Sequence, residues 1–163
     1  MDGSEALQET ISILETIPGG PALIEWFGGW PEFGDAEILE LRLVRRGPSL
    51  LRVATMVSAA GKKQGPPFKH AVFDFTLRDM IDVHLDGFSH QNVIGGLILR
   101  RAQDQPVHPT LLGTGLVQGD VEIELEPYTG AYGTIRCTIE KITIISVENY
   151  QNAEASLGAN RSI

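Results

Sequence analysis

The period of the apolar residues changes once along the chain, and this change limits the possible folds more than any other feature. Residues 4–17 repeat apolar side chains at helical spacing, whereas from residue 36 onward apolar and polar residues alternate in short runs. Such alternation is typical of strands that bury one face. Helical spacing does not recur between the runs, so we do not expect a doubly wound, nucleotide-binding sheet.

Seven segments of the chain have the strand pattern. They are residues 39–43, 50–58, 68–77, 80–88, 93–101, 121–127 and 133–147. Because short turns separate them, a mostly antiparallel sheet or sandwich is the simplest arrangement. Two short helices precede the strands, since Pro-Gly-Gly at 18–20 ends the first and Gly-Gly at 28–29 ends the second. The sequence therefore predicts an α+β fold.

The size and composition of the chain fit one domain. It has 163 residues, of which 42% are hydrophobic, enough to bury a single core. We place the domain at residues 1–150 and expect residues 151–163, which are poor in apolar side chains, to form a flexible tail. No apolar run is long enough to span a membrane, and the acidic first residues do not resemble a secretory signal, so we expect a cytoplasmic protein.

Acidic residues are concentrated at the start of the chain. The first 40 residues hold nine of the 21 acids and none of the 13 bases, a charge of −9 against +1 for the remainder. This distribution argues against general nucleic-acid binding, which depends on basic residues. A basic protein partner would be complementary. Carboxylates that only solubilise a structural accessory domain would give the same pattern.

Few residues have the spacing that catalysis or cofactor binding requires. Cys137 is the only cysteine, and it lies in an alternating segment where a buried apolar role is expected. The region of His84, Asp86 and His90 is the candidate for a metal site or a small active site. A solvent-facing strand explains the same pattern, because no motif such as HExxH accompanies these residues. We expect a non-enzymatic protein without a cofactor and keep the metal-dependent protein as the alternative.

Large aromatic residues stand close together in the link between the helices and the first strand. Trp26, Trp30 and Phe33 occur there, and Pro31 follows the second tryptophan. Aromatic side chains at such a junction usually fill the space between two layers, so we expect a structural plug. Tryptophan also anchors protein interfaces, and an exposed position would indicate binding instead.

The same link carries a motif of five residues. They are Trp30, Pro31, Phe33, Asp35 and Glu37. Through them the chain resembles the immunity protein 50 family, whose members carry Trp-Pro-x-Phe-His-Asp-x-Glu before the first strand, and the resemblance extends over residues 17–148. Gly34 stands where the family usually has histidine. The resemblance implies an α+β fold and a role as the antidote to a cognate protein toxin of a bacterial polymorphic or contact-dependent system.

Two sets of carboxylates are candidates for docking a basic toxin. The strand carboxylates are Glu122, Glu124 and Glu126, and the N-terminal carboxylates are Glu32, Asp35 and Glu37. Alternate residues of a strand point to one face, so the strand carboxylates form a rigid row, and we favour them slightly. Asp35 and Glu37 have a rival role, because they could accept backbone hydrogen bonds that fix the turn into the first strand. A solvated strand face also accounts for the row.

Overall fold

Two helices lead into six strands in the part of the chain that the structure describes. The computed structural model describes residues 2–58, 68–102 and 120–146. The elements are α1 (Gly3–Leu14), α2 (Gly20–Trp26), β1 (Ala36–Arg42), β2 (Ser49–Ser58), β3 (Phe68–Asp86), β4 (Val93–Arg101), β5 (Val121–Thr129) and β6 (Tyr132–Ser146). The domain boundary expected at residue 150 and the tail expected at 151–163 lie outside the described residues.

The strands close into a barrel in the order β1-β2-β3-β6-β5-β4, and all neighbours are antiparallel. The pairing of β1 with β4, which closes the barrel, is short: Ala36 faces Ile94, and Glu37 faces Val93. The expected combination of two helices and an antiparallel sheet is confirmed. The sheet is a closed barrel and not a sandwich, a difference that strand patterning does not reveal because both architectures bury one face of each strand.

The described residues contain six strands, so the prediction of seven is wrong. The segment predicted at 68–77 and most of the one predicted at 80–88 belong to one long strand, β3, which pairs with β2 over Phe68–Leu77 and with β6 over Ala71–Asp86. Between Arg78 and Asp82 the register with β6 shifts in a bulge. Asp79 has φ 51° there, a left-handed conformation that bends the strand without ending it.

Side chains from all six strands fill the barrel interior. Buried members include Ile38, Val53, Phe73, Leu99, Ile123 and Ile135. Helix α1 lies over β4 beyond the short pairing with β1. The buried Thr10 hydroxyl accepts a hydrogen bond from the Leu99 N–H at 3.0 Å, and the Glu9 carboxylate accepts one from the Arg101 N–H at 2.9 Å. Side chains of α1 thus satisfy backbone donors of β4. None of the described helices is long and apolar enough to cross a membrane.

Candidate functional site

Strand β5 presents a row of carboxylates on the outside of the barrel. Glu122, Glu124 and Glu126 are half-buried and alternate with buried apolar residues. Asp120, just before the strand, differs because its side chain is buried, with a carboxylate oxygen 3.7 Å from the Arg136 guanidinium. The strand carboxylates therefore form the expected row, and Asp120 is separated from it by burial.

Basic neighbours compensate part of this row. Arg100 on β4 forms an ion pair with Glu124 and stands opposite Glu122 in the register. Glu122 also stands opposite Arg136 on β6. Glu126, by contrast, stands opposite an uncharged glycine of β4. The negative charge available to a partner is therefore greatest at the Glu126 end of the row.

A groove of about 270 Å³ lies between α1 and β4, and Glu126 lines it. Apolar side chains form much of its walls, among them Ala6 and Leu7 from α1 and Leu97 from β4. Glu32 lines the same groove, so one member of each predicted carboxylate set is placed there. No base occurs among the described residues that line it. We call this feature the α1–β4 groove.

Four glycines line the α1–β4 groove: Gly3, Gly34, Gly95 and Gly96. A Cβ atom at Gly96 would collide with the Glu126 carboxylate, so the missing side chain makes room for this acid. A Cβ atom at Gly34 would lie 3.6 Å from the Gly95 carbonyl oxygen, an ordinary contact. Gly34 thus lines the groove with room for a Cβ atom.

The other two N-terminal carboxylates do not line the α1–β4 groove. Asp35 is exposed with φ 61°, and its backbone N–H donates to the Ile94 carbonyl at 3.1 Å. Glu37 is half-buried in β1. Within the described residues neither carboxylate accepts a hydrogen bond, so a backbone bond, and not a carboxylate, joins the turn at Asp35 to β4.

The aromatic plug differs in membership from the expected one. Trp26 and Phe33 each pack on Phe27, and all three rings pack with Phe73 of β3, with ring centroids 4.9 to 6.0 Å apart. Trp30 does not take part, because its side chain is 48% exposed. An exposed tryptophan is typical of protein-binding surfaces. The sequence pattern does not predict the packing of Phe27, because this residue follows α2 directly and precedes two glycines.

The alternative site of His84, Asp86 and His90 is not assembled in the described residues, because His84 contacts Asp82 instead. The His84 Nε2 atom lies 2.8 Å from the Asp82 carboxylate. The Asp86 carboxylate accepts a bond from the Gly87 N–H at 2.7 Å, and His90 is exposed in the loop that follows β3. Over the described ranges, no three His, Cys, Asp or Glu side chains are placed to hold a metal ion.

Cys137 is fully buried in β6, as expected. Burial, with a smaller contribution from the charge of Asp120, raises the pKa of its thiol to about 12. Because the thiolate is the reactive form, this thiol is not a nucleophile at neutral pH.

Comparison with known proteins gives no match: no family model, no curated protein and no solved structure matches this chain. The features of the molecule that bear on function are therefore the α1–β4 groove, the charges around it and the exposed Trp30.

Proposed function

We propose that this protein is a non-enzymatic binding protein that neutralises a basic protein toxin by tight association. Through the motif at residues 30–37 the chain resembles the immunity protein 50 family, and this resemblance suggests a protein toxin as the partner. The acidic surface of the protein suggests that this toxin is basic. The observation that carries the proposal is the α1–β4 groove, where Glu32 and Glu126 occur without a base among the described lining residues.

The α1–β4 groove has the chemistry to hold a lysine or arginine side chain. The aliphatic part of such a side chain would contact Leu7 and Leu97, and its charged end would meet Glu126. Hydrogen bonds between a cation and a carboxylate are stronger than neutral ones. Trp30 directly precedes the groove wall formed by residues 31–34 and supplies an aromatic anchor beside it.

The remaining strand carboxylates support association in a weaker way. Glu124 is already paired with Arg100, and Glu122 stands opposite two arginines, so neither brings a fully uncompensated charge. Surface charges at the rim of an interface act mainly on the association rate. If the toxin is a nuclease, carboxylates of this surface would occupy its cleft in place of phosphates.

A matched pair of charge reversals tests the proposal. The double variant Glu32→Lys/Glu126→Lys changes the groove, whereas Glu15→Lys/Glu25→Lys makes the same change in net charge at two exposed positions outside it, one just after α1 and one in α2. Both are co-expressed with the product of the gene that adjoins this protein's gene. We expect the groove variant to lose protection and its Kd to rise about a hundredfold, while the control still protects.

Circular dichroism and thermal melting show whether both variants fold. Equal protection and equal affinity for the two folded variants would contradict a role of the α1–β4 groove. Failure of the unmodified protein to protect cells, or to bind the product of the adjoining gene, would contradict the antidote function itself.

A further inference from the structure

A second cavity, of about 680 Å³, opens between the turn that joins β1 to β2 and the bulge of β3. It is lined by residues 43–47 and 77–80 together with Ser49. Its volume lies within the range of small-molecule sites, which is about 300–1,000 Å³. None of its lining residues belongs to the α1–β4 groove, so ligand binding in this cavity does not depend on the proposed antidote function.

One side of this cavity is apolar and accessible. Leu43 lies just past the end of β1 and is 53% exposed, and Val44 beside it is also exposed. Leu77 is fully buried, and Met80 is half-buried and packs against the core. Burying exposed apolar side chains is energetically favourable, so this side of the cavity favours a ligand with an apolar part.

The charged groups of the cavity leave a positive excess. Arg45 and Arg46 are exposed, and neither forms an ion pair with a carboxylate of the described residues. Arg78 is compensated, because its Nε atom lies 2.7 Å from the Glu140 carboxylate. Asp79 contributes one negative charge. Two uncompensated arginines against one aspartate favour an anionic ligand.

The frame of the cavity is fixed before any ligand arrives. The Ser49 hydroxyl accepts a hydrogen bond from the Val44 N–H at 2.9 Å and so ties the turn to the start of β2. On the other side, Asp79 holds the left-handed conformation of the bulge. Bulges and left-handed residues other than glycine cluster at binding sites, where they redirect side chains.

We propose that this cavity binds a small organic anion with an apolar chain, such as a carboxylate or a phosphate monoester. Arg45 and Arg46 hold the anionic head, and Leu43, Val44 and Met80 contact the chain. A head group without a chain would leave the apolar side uncovered, and a chain without a charge would leave both arginines without a partner. Recognition therefore requires both parts of the ligand.

Octanoate is the probe for the test, with acetate, 1-octanol and octylammonium as comparison ligands. The ligands are titrated into ¹⁵N-labelled protein, and amide shifts are followed by NMR. We expect saturable shifts at residues 43–49 and 77–80 with octanoate, with a Kd below about 1 mM, and affinities at least about tenfold weaker for the other three ligands.

Two double variants complete the test. Arg45→Gln/Arg46→Gln removes the proposed head-group contacts, and Arg42→Gln/Arg101→Gln removes the same charge from exposed arginines that do not line the cavity. We expect the first to weaken octanoate binding about tenfold or more and the second to change it less than about twofold. The proposal is overturned by the absence of saturable shifts in folded protein, by equal binding in both variants, or by tighter binding of a Glu-rich decapeptide at the same residues.

Discussion

At the scale of single residues, burial makes the Cys137 thiol unreactive, so its side chain contributes to packing. Its thiol pKa rises from the ordinary 9.0 to about 12, mainly because the thiolate would be desolvated. In the unfolded chain the thiol loses its proton at the lower pH, while the folded protein keeps it. The contribution to stability is therefore complete below about pH 9 and is lost as the pH rises toward about 12.

The variant Cys137→Ala tests this coupling. Between about pH 8 and about pH 10.5, the free energy of unfolding of the unmodified protein should fall by about 2 kcal/mol more than that of the variant. Urea titrations of both proteins at the two pH values measure the difference, and any pH-independent cost of the smaller side chain cancels. Parallel pH dependence in the two proteins would mean that the thiol titrates normally when folded.

The two tryptophans differ in burial, a difference that the residue type alone does not predict. Trp26 and Trp30 occur four residues apart in one link, yet Trp26 packs on Phe73 and Trp30 is exposed. Composition and spacing could predict that aromatics fill the junction between helices and sheet. Which of them does so depends on the path of the backbone through Gly28 and Gly29, both with positive φ, and that path is not encoded in a periodic pattern.

At the scale of elements, one buried hydroxyl contributes to the docking of α1 on β4. Thr10 donates to the Ala6 carbonyl at 2.9 Å and accepts from the Leu99 N–H at 3.0 Å. The isosteric variant Thr10→Val removes both bonds and leaves a buried N–H without its acceptor. We expect the free energy of unfolding to fall by about 1–3 kcal/mol.

Thr16→Val is the matched control for this variant. Thr16 is exposed, and its hydroxyl donates only to the nearby Ile13 carbonyl at 2.7 Å, so we expect a loss of about 0.5 kcal/mol or less. Urea unfolding followed by tryptophan fluorescence measures both values. Equal losses would show that the bond to β4 does not stabilise the docked helix.

Some features of the elements can be predicted from the sequence and others cannot. The helices, the antiparallel strands and the outward row at Glu122, Glu124 and Glu126 follow from local periodicity. The continuity of β3 does not, because the polar Arg78-Asp79 pair interrupts the alternation as a turn would, while pairing with β6 carries the strand onward. The α1–β4 groove cannot be predicted from periodicity either, since the presence of Glu32 and Glu126 in one groove depends on contacts between distant parts of the chain.

At the scale of the whole molecule, the barrel closes where β1 meets β4, and Asn92 joins the elements around that closure. Its buried side chain accepts bonds from the N–H groups of Ser89 and Ala131 at 2.8 and 3.1 Å and donates to the Ser89 carbonyl at 2.8 Å. Its own carbonyl accepts from the Ile38 N–H at 2.8 Å. One residue thus connects β1, the loop before β4 and the turn before β6.

Asn92→Ala removes the side-chain bonds to Ser89 and Ala131 and keeps the backbone bond to Ile38. Because closure couples strands that are far apart in the sequence, the loss of these side-chain bonds should weaken the entire barrel. We expect Asn92→Ala to lower the free energy of unfolding by about 2–4 kcal/mol, whereas Gln91→Ala, at an exposed neighbour, should cost less than about 0.5 kcal/mol. Native-state hydrogen exchange separates a global effect from a local one. Protection should fall together in β1, β4 and β6, and a loss confined to residues 87–92 would show that Asn92 only shapes its own loop.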